Sequence, residues 1–178
     1  GITIDAARVF FKSQKRHYII IDAPGHIEFL KNMVTGAARA EAAFLCIDAH
    51  EGVQENSRRH GYLLSMLGIK QMCVLVNKMD LVDYSQQRFD EIVAHYRDFA
   101  SSLGMQSFLP IPISGLKGDN ITSLSEQTRW YTGPSLLAHL ETVELDTERM
   151  ARRSFRMAVQ WVNRPNLDFR GFAGLVSS

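Results

Sequence analysis

Short apolar runs alternate with stretches of helical periodicity along most of this chain, and that rhythm leaves few folds open. AARVFF (6–11), YIIID (18–22), AAFLCID (42–48), QMCVLV (71–76) and FLPIPI (108–113) have the length and composition of buried strands. Between them lie helical patterns, one from about His26, one near 53–67, and one from Ser85 that places Phe89, Ile92, Val93, Tyr96, Phe99 and Leu103 on a single face. SLLAHLETV closes the series as a last helix. Repeated strand–helix–strand units predict an α/β fold with a mostly parallel sheet and helices on both faces. The polar turn KSQKRH (12–17) is too short for a parallel crossover, so its flanking strands are expected to form an antiparallel hairpin at a sheet edge.

The rhythm changes near the C-terminus. TERMARR (147–153) reads as a linker between a nucleotide-type domain over residues 1–146 and a second region over 154–178. SFRMAVQWV and FAGLVSS in that region are β-type with no helix between them, as in the opening strands of a β-barrel domain.

Charge gives no guide to partners, because 20 Lys and Arg balance 19 Asp and Glu among 178 residues. Cys46 and Cys73 both sit within apolar runs, where reduced, buried thiols are the ordinary expectation. No apolar stretch is long enough to span a bilayer and no signal peptide is present, so a cytoplasmic location without membrane contact is expected.

Polar motifs follow the apolar runs, where open α/β sheets place their ligand loops. In VLVNKMD, the Asp80 carboxylate can accept two hydrogen bonds from the ring and exocyclic N–H groups of guanine, a donor pattern that adenine lacks. Asn77 can donate to the base and tie loops together, and the Lys78 stem can lie across the base plane. A charged, solvated turn is the plainer alternative. In DAPGH, Asp22 suits a magnesium ion held through water, since Mg2+ keeps much of its hydration shell. Gly25 lets its backbone N–H approach a terminal phosphate, next to the start of a helix whose dipole favours negative charge. His26 is placed to position an attacking water, although a histidine packed beside a helix start would look the same.

Two further motifs are weaker by themselves. In SGLKGDN, backbone N–H groups of Gly115 and Leu116 can hold the guanine carbonyl while Ser114 fixes the loop; an ordinary polar loop is the alternative. In GITID, the Thr3 hydroxyl can ligate magnesium and Ile2 can act as a hydrophobic gate over the attacking water, unless Thr3 is simply part of a strand.

GITID, DAPGH, NKMD and SGLKGDN in this order resemble the translation-factor class of GTPases, which includes elongation factor Tu. KNMVTGAARAEAAFLCIDA, NSRRH, LLSMLGI, NKMDLVDY, WYTGPSLL and VQWVNRPNLDFRGFAG look most like the large, GTP-binding subunit of bacterial sulfate adenylyltransferase. The resemblance implies GTP and Mg2+ as cofactors, with Thr3 and Asp22 serving magnesium, Gly25 the terminal phosphate, and His26 the attacking water. Asn77, Lys78, Asp80 and Ser114 are implied to serve guanine. It also implies a partner small subunit that joins ATP and sulfate into adenylyl sulfate, coupled to GTP hydrolysis on this subunit. The competing expectation is a GTP-switched carrier of aminoacyl-tRNA, but VNRPNLDFRGFAG departs from such carriers, so nucleic acid is not the expected partner.

Two departures from the class pattern stand out. Gly115 replaces the usual alanine, which matters little for a backbone contact. None of the 12 glycines begins G-x-x-x-x-G-K-[ST], so the P-loop that cradles phosphates is missing from these residues. An N-terminal segment carrying the first strand and the P-loop is therefore expected in the natural protein, and the 178 residues alone are expected to bind GTP poorly.

Overall fold

In the computed structural model, residues 4–38, 40–69, 71–105, 108–144 and 154–176 are described. The chain divides into two compact units, Gly1–Val143 and Glu144–Ser178. The expected linker at 147–153 lies outside the described residues.

The first unit is built around three parallel strands in the order β3-β4-β5: β3 (Ala42–Asp48), β4 (Gln71–Asn77) and β5 (Leu109–Pro112). β4 is central, and Met72, Cys73, Val74, Leu75 and Val76 are buried in succession, as a strand covered on both faces requires. Helices α2 (Glu55–Met66) and α3 (Gln86–Ser102) make the crossovers between these strands. The expected apolar face of α3 is present: Phe89, Ile92, Val93 and Tyr96 are buried, joined by Ala100, and Phe99 packs at its margin. Burial of each large side chain contributes about 2 kcal/mol. Ser85 caps the start of α3 by accepting the Arg88 N–H, satisfying one of its free amide donors.

Cys73 lies in the core, and burial pushes its thiol up to about 12. Cys46 corrects the expectation of two buried thiols, for its side chain is exposed. Alternation along β3 explains this. Ala43, Leu45 and Ile47 turn into the main core, whereas Phe44, Cys46 and Asp48 face the opposite side, which is covered more thinly.

The hairpin β1 (Ala7–Lys12) and β2 (His17–Asp22) is antiparallel, running in register from Ala7 opposite Asp22 to Lys12 opposite His17. It does not extend the parallel sheet as its edge. Among the described residues it forms a separate two-stranded sheet, because no strand bridges β2 to β3. Val9, Phe10, Ile19 and Ile20 are consequently exposed. The chain leaves β2 through a single 3-10 turn (Ile27–Phe29) before α1 (Leu30–Ala37) begins, so the α-helix starts later than the expected position near His26. At the other end of the unit, α4 (Leu136–Thr142) is capped by Ser135, and Arg16 from the hairpin turn donates to the Leu140 and Val143 carbonyls. Those carbonyls are among the acceptors a helix end leaves unpaired.

The second unit holds a small antiparallel pair, β6 (Trp161–Asn163) and β7 (Gly171–Ala173), and a bridge between Met157 and Val176. Strands without helices are consistent with the opening of a β-barrel.

Candidate functional site

The parallel strands carry their polar residues at their C-terminal ends, and the register brings Asp48 of β3 directly opposite Asn77 of β4. The loops leaving β4 and β5 are then tied to each other. The Asn77 side-chain oxygen accepts the Lys78 N–H at 2.7 Å and the Gly115 N–H at 2.9 Å, while Met79 N–H donates to the Ile113 carbonyl at 3.1 Å. The Gly115 N–H, expected to face a ligand carbonyl, is bonded to Asn77 in this structure. The neighbouring residue Leu116 is 85% exposed, and its N–H has no hydrogen-bond partner among the described residues.

Backbone strain is concentrated in these loops. Among the described residues, the non-glycine residues with left-handed backbone are Lys78 (φ 62°), Asp83 (φ 50°), Tyr84 (φ 52°) and Asn120 (φ 57°), all in the segments that follow β4 and β5. Such conformations cost about 1 kcal/mol or more apiece and persist where surrounding contacts over-determine them. Here those contacts are visible. Asn120 is fully buried, donates to the Pro112 carbonyl and the Thr128 hydroxyl at 2.7 and 2.8 Å, and accepts the Ser125 N–H at 2.8 Å. The Asp119 carboxylate accepts from the Tyr84 hydroxyl at 2.6 Å and from the Ser125 hydroxyl at 2.7 Å, which joins the two loops a second time. Trp130 donates its indole N–H to the Tyr84 carbonyl at 3.1 Å. Ser114 is buried, and its hydroxyl accepts the Lys117 N–H at 3.2 Å, closing the turn.

Lys78 is not extended over open space. Its ammonium meets the Asp48 carboxylate at 2.6 Å, and Asp48 also accepts the His50 N–H at 2.8 Å. Partial burial would raise the Asp48 carboxyl, but Lys78 and the backbone N–H groups of His50 and Glu51 outweigh it and hold the group below the usual carboxylate range. The Lys78 ammonium is correspondingly raised, first by its hydrogen bond to Asp48. Asp80, in the first turn of the short 3-10 helix Met79–Val82, has no hydrogen-bond partner among the described residues. Its acceptor oxygens are unbonded, beside an Asn77 oxygen and a Lys78 ammonium that are both engaged.

DAPGH leaves β2 with Asp22 exposed and Pro24 fully buried as the pivot. Gly25 has neither a left-handed φ nor crowded surroundings: an added Cβ would meet the His60 ring at 3.5 Å, an ordinary contact. Neither backbone conformation nor protein packing therefore demands glycine at this position. His26 is turned onto its own chain, where the Nδ1 atom accepts the Glu28 N–H at 3.4 Å and caps the 3-10 turn. Ile2 and Thr3 lie outside the described residues.

The expected residues thus fall into two groups. Asn77, Lys78, Asp80, Ser114, Gly115 and Leu116 share the end of the parallel sheet, and Asp22, Gly25 and His26 form a separate turn. Sequence reasoning did not single out Asp48, Asp119, Asn120, Tyr84 or His60. Asp119 and Asn120 lay within a quoted motif, and three polar residues within four positions (Lys117, Asp119 and Asn120, around Gly118) were the available signal.

Comparison with known proteins agrees with this architecture. Residues 1–140 match the family described as Elongation factor Tu GTP binding domain. The chain is 52% identical over 179 aligned residues to "Sulfate adenylyltransferase subunit 1" of Vibrio vulnificus (strain YJ016), covering 100% of this chain and 37% of that protein. It is 52% identical to "Bifunctional enzyme NodQ" of Rhizobium meliloti (strain 1021), covering 99% of this chain and 28% of that protein. The chain therefore spans between about a quarter and two fifths of the length of the curated relatives it matches. Among solved structures, sup35 complexed with GMPPNP aligns with a TM-score of 0.65 and 25% identity, over 95% of this chain and 42% of that one. A bacterial selenocysteine-specific elongation factor aligns with a TM-score of 0.66 over 99% of this chain and 28% of that one; its 20% identity speaks for the fold alone. With parallel strands ending in polar loops and a family match over most of its length, the chain belongs to the elongation factor Tu GTP-binding domain family.

Proposed function

We propose that this chain is part of the GTP-binding, GTP-hydrolysing subunit of a sulfate adenylyltransferase. In this reading, GTP hydrolysis here is coupled to formation of adenylyl sulfate from ATP and sulfate on a partner small subunit, in the cytoplasm. The observation that carries it is 52% identity to a sulfate adenylyltransferase subunit 1 over the whole chain, including the C-terminal unit. An aminoacyl-tRNA carrier draws support from the family match over residues 1–140 and from likeness of fold at 20–25% identity, well below the 52% of the first reading.

Within that reading each expected residue takes a task. Asp80, with free acceptor oxygens, takes the ring and exocyclic N–H groups of guanine. Asn77 has committed its oxygen to Lys78 and Gly115, which leaves its amide N–H2 to donate to the base. The Leu116 N–H replaces that of Gly115 as donor to the guanine carbonyl. Lys78 serves the base by its stem while its ammonium stays on Asp48.

At the phosphate end, Gly25 offers its N–H to the terminal phosphate with no Cβ of its own to hinder a close approach. His26 positions the attacking water after giving up its bond to Glu28, which at 3.4 Å is long and costs little to break. Asp22 is exposed with no hydrogen-bond partner among the described residues, and so fits a water-mediated magnesium ligand, with Thr3 as the direct one. The chemistry that Mg2+ supplies when bound is neutralisation of charge on the last two phosphates. Ile2 shields the attacking water.

The test uses the full-length protein with its small subunit, ATP and sulfate, with and without GTP. GTP should raise adenylyl sulfate output, and an equal output without GTP would refute the coupling.

A further inference from the structure

Arg88, in the first turn of α3, lies outside every motif read from the sequence, yet its guanidinium grips the loop that follows β3. Its Nε–H donates to the Ala49 carbonyl at 2.8 Å, and an Nη2–H donates to the His50 carbonyl at 3.1 Å. The third nitrogen lies 3.4 Å from Glu91 on the same helix. The two bonds to the loop come from neighbouring N–H groups on one edge of a planar fork, a geometry that a lysine cannot reproduce.

The loop turns its other side to the candidate site. Asp48 Oδ1 accepts the His50 N–H at 2.8 Å and the Glu51 N–H at 3.3 Å, and Asp48 Oδ2 meets the Lys78 ammonium at 2.6 Å. The Ala49 carbonyl and the His50 N–H belong to one peptide, and the His50 carbonyl and the Glu51 N–H belong to the next. In a planar trans peptide the carbonyl and the N–H point opposite ways. Arg88 therefore holds from behind the same two peptides whose N–H groups hold the Asp48 carboxylate in front.

We infer that Arg88 is a positioning residue for nucleotide binding: by fixing these two peptides it sets the Asp48 carboxylate, and through it the Lys78 side chain. The inference rests on the reading of Lys78 as a residue that lies against guanine. The Lys78 side chain is 54% exposed, so its direction depends on the carboxylate that receives its ammonium.

The rest of the loop is shaped around the guanidinium. Gly52 closes the turn, donating its N–H to the Asp48 carbonyl at 2.8 Å with a left-handed φ of 78°. A Cβ at that position would stand 2.9 Å from Arg88 Nη2, so a side chain could fit there only by displacing it. Ala49 is fully buried and donates its N–H to the Asn77 carbonyl at 2.8 Å, which fixes the root of the loop to the end of β4. Ser85 accepts the Arg88 N–H and anchors the backbone from which the side chain reaches. A group carried on a packed helix holds its target more closely than one on a loop can.

Three substitutions in the full-length protein test the inference. Arg88→Gln and Arg88→Lys both remove the fork, the second keeping the charge, and Lys78→Ala removes the side chain through which Arg88 acts. Without nucleotide, reductive methylation of Lys78, followed by mass spectrometry, should run about 3-fold faster in Arg88→Gln, the scale set by a partly exposed ion pair. GTP affinity should fall about 5-fold in Arg88→Gln, but by less than about 2-fold when the same change is added to Lys78→Ala. Arg88→Lys should behave like Arg88→Gln, and it carries the test if Arg88→Gln does not fold. Unchanged reactivity of Lys78 would overturn the inference. Equal losses of affinity with and without the Lys78 side chain would also overturn it, by showing a general loosening of the fold, as would full wild-type affinity in Arg88→Lys. If Lys78→Ala binds GTP as tightly as wild type while Arg88→Gln still exposes Lys78 to the reagent, the reading of Lys78 at guanine is refuted, and the claim about affinity with it.

Discussion

The Asn77 side-chain oxygen holds the Gly115 backbone N–H at 2.9 Å, joining the loop after β4 to the loop after β5 across the end of the sheet. The same oxygen accepts from Lys78 at 2.7 Å, and Lys78 is one of the left-handed residues of the site. One acceptor thus stabilises two strained loops.

Replacing Asn77 by Ala leaves both amides without that partner. The expected cost is about 1–3 kcal/mol of stability, with a loss of GTP affinity larger than that stability change alone would produce, because the base-facing loop is released. Thermal melting and nucleotide titration of the full-length protein measure the two effects. Affinity equal to wild type would show that the loops hold their places without the bridge.

Asp80→Asn tests base choice. An acceptor pair becomes a group that also donates, so preference should move from guanine toward xanthine, whose exocyclic position is a carbonyl. Competition between GTP and XTP is the measurement, and unchanged preference for GTP would remove Asp80 from the base-binding role.

These loops show how far the sequence could be read. Strand ends at Asn77 and Asp22 were legible because each closes an apolar run, and α3 was legible because Phe89, Ile92, Val93 and Tyr96 recur at helical spacing. The Lys78–Asp48 pair was not, since it depends on the register of β3 against β4, which no local pattern specifies. The contact between His60 and Gly25 was hidden for the same reason: 35 positions separate them, and only the packing of α2 brings them together. Cys46 misled because an apolar run reveals that a strand is buried but not which of its faces lacks a cover.

Gly61 and Tyr96 form a pair suited to a double-mutant cycle. A methyl at position 61 would run into the Tyr96 hydroxyl, so Gly61→Ala should cost about 1–3 kcal/mol through overpacking. The Tyr96 hydroxyl has a weak partner, the Met72 sulfur at 4.0 Å, and Tyr96→Phe should be tolerated within about 1 kcal/mol. The double variant should regain part of the Gly61→Ala loss. Strict additivity in denaturant unfolding would mean that α2 relaxes away from α3 without cost.

Stability should also depend on pH through two histidines. Burial holds both His60 and His139 below 6.5; for His60 the nearby Gly25 backbone opposes this and the Arg59 charge adds to it. The folded state then binds fewer protons than the unfolded chain between the depressed values and 6.5. Stability is therefore fully present above that point and falls as pH drops through the window. Melting temperature should decline from about pH 7 toward pH 5, and His60→Gln should flatten part of the slope while His139 retains the remainder. An identical slope in the variant would show that His60 is solvated in the folded protein.

The separation of the β1–β2 hairpin from the three-stranded sheet has a practical consequence. β2 and β3 each present an edge with unpaired amide and carbonyl groups among the described residues, and Val9, Phe10, Ile19 and Ile20 are exposed beside the first of them. An open edge next to exposed β-branched and aromatic side chains is a template for pairing with another chain. Handled as these 178 residues, the polypeptide carries its own aggregation hazard, and charged substitutions at Phe10 or Ile19 are the place to begin improving its solubility.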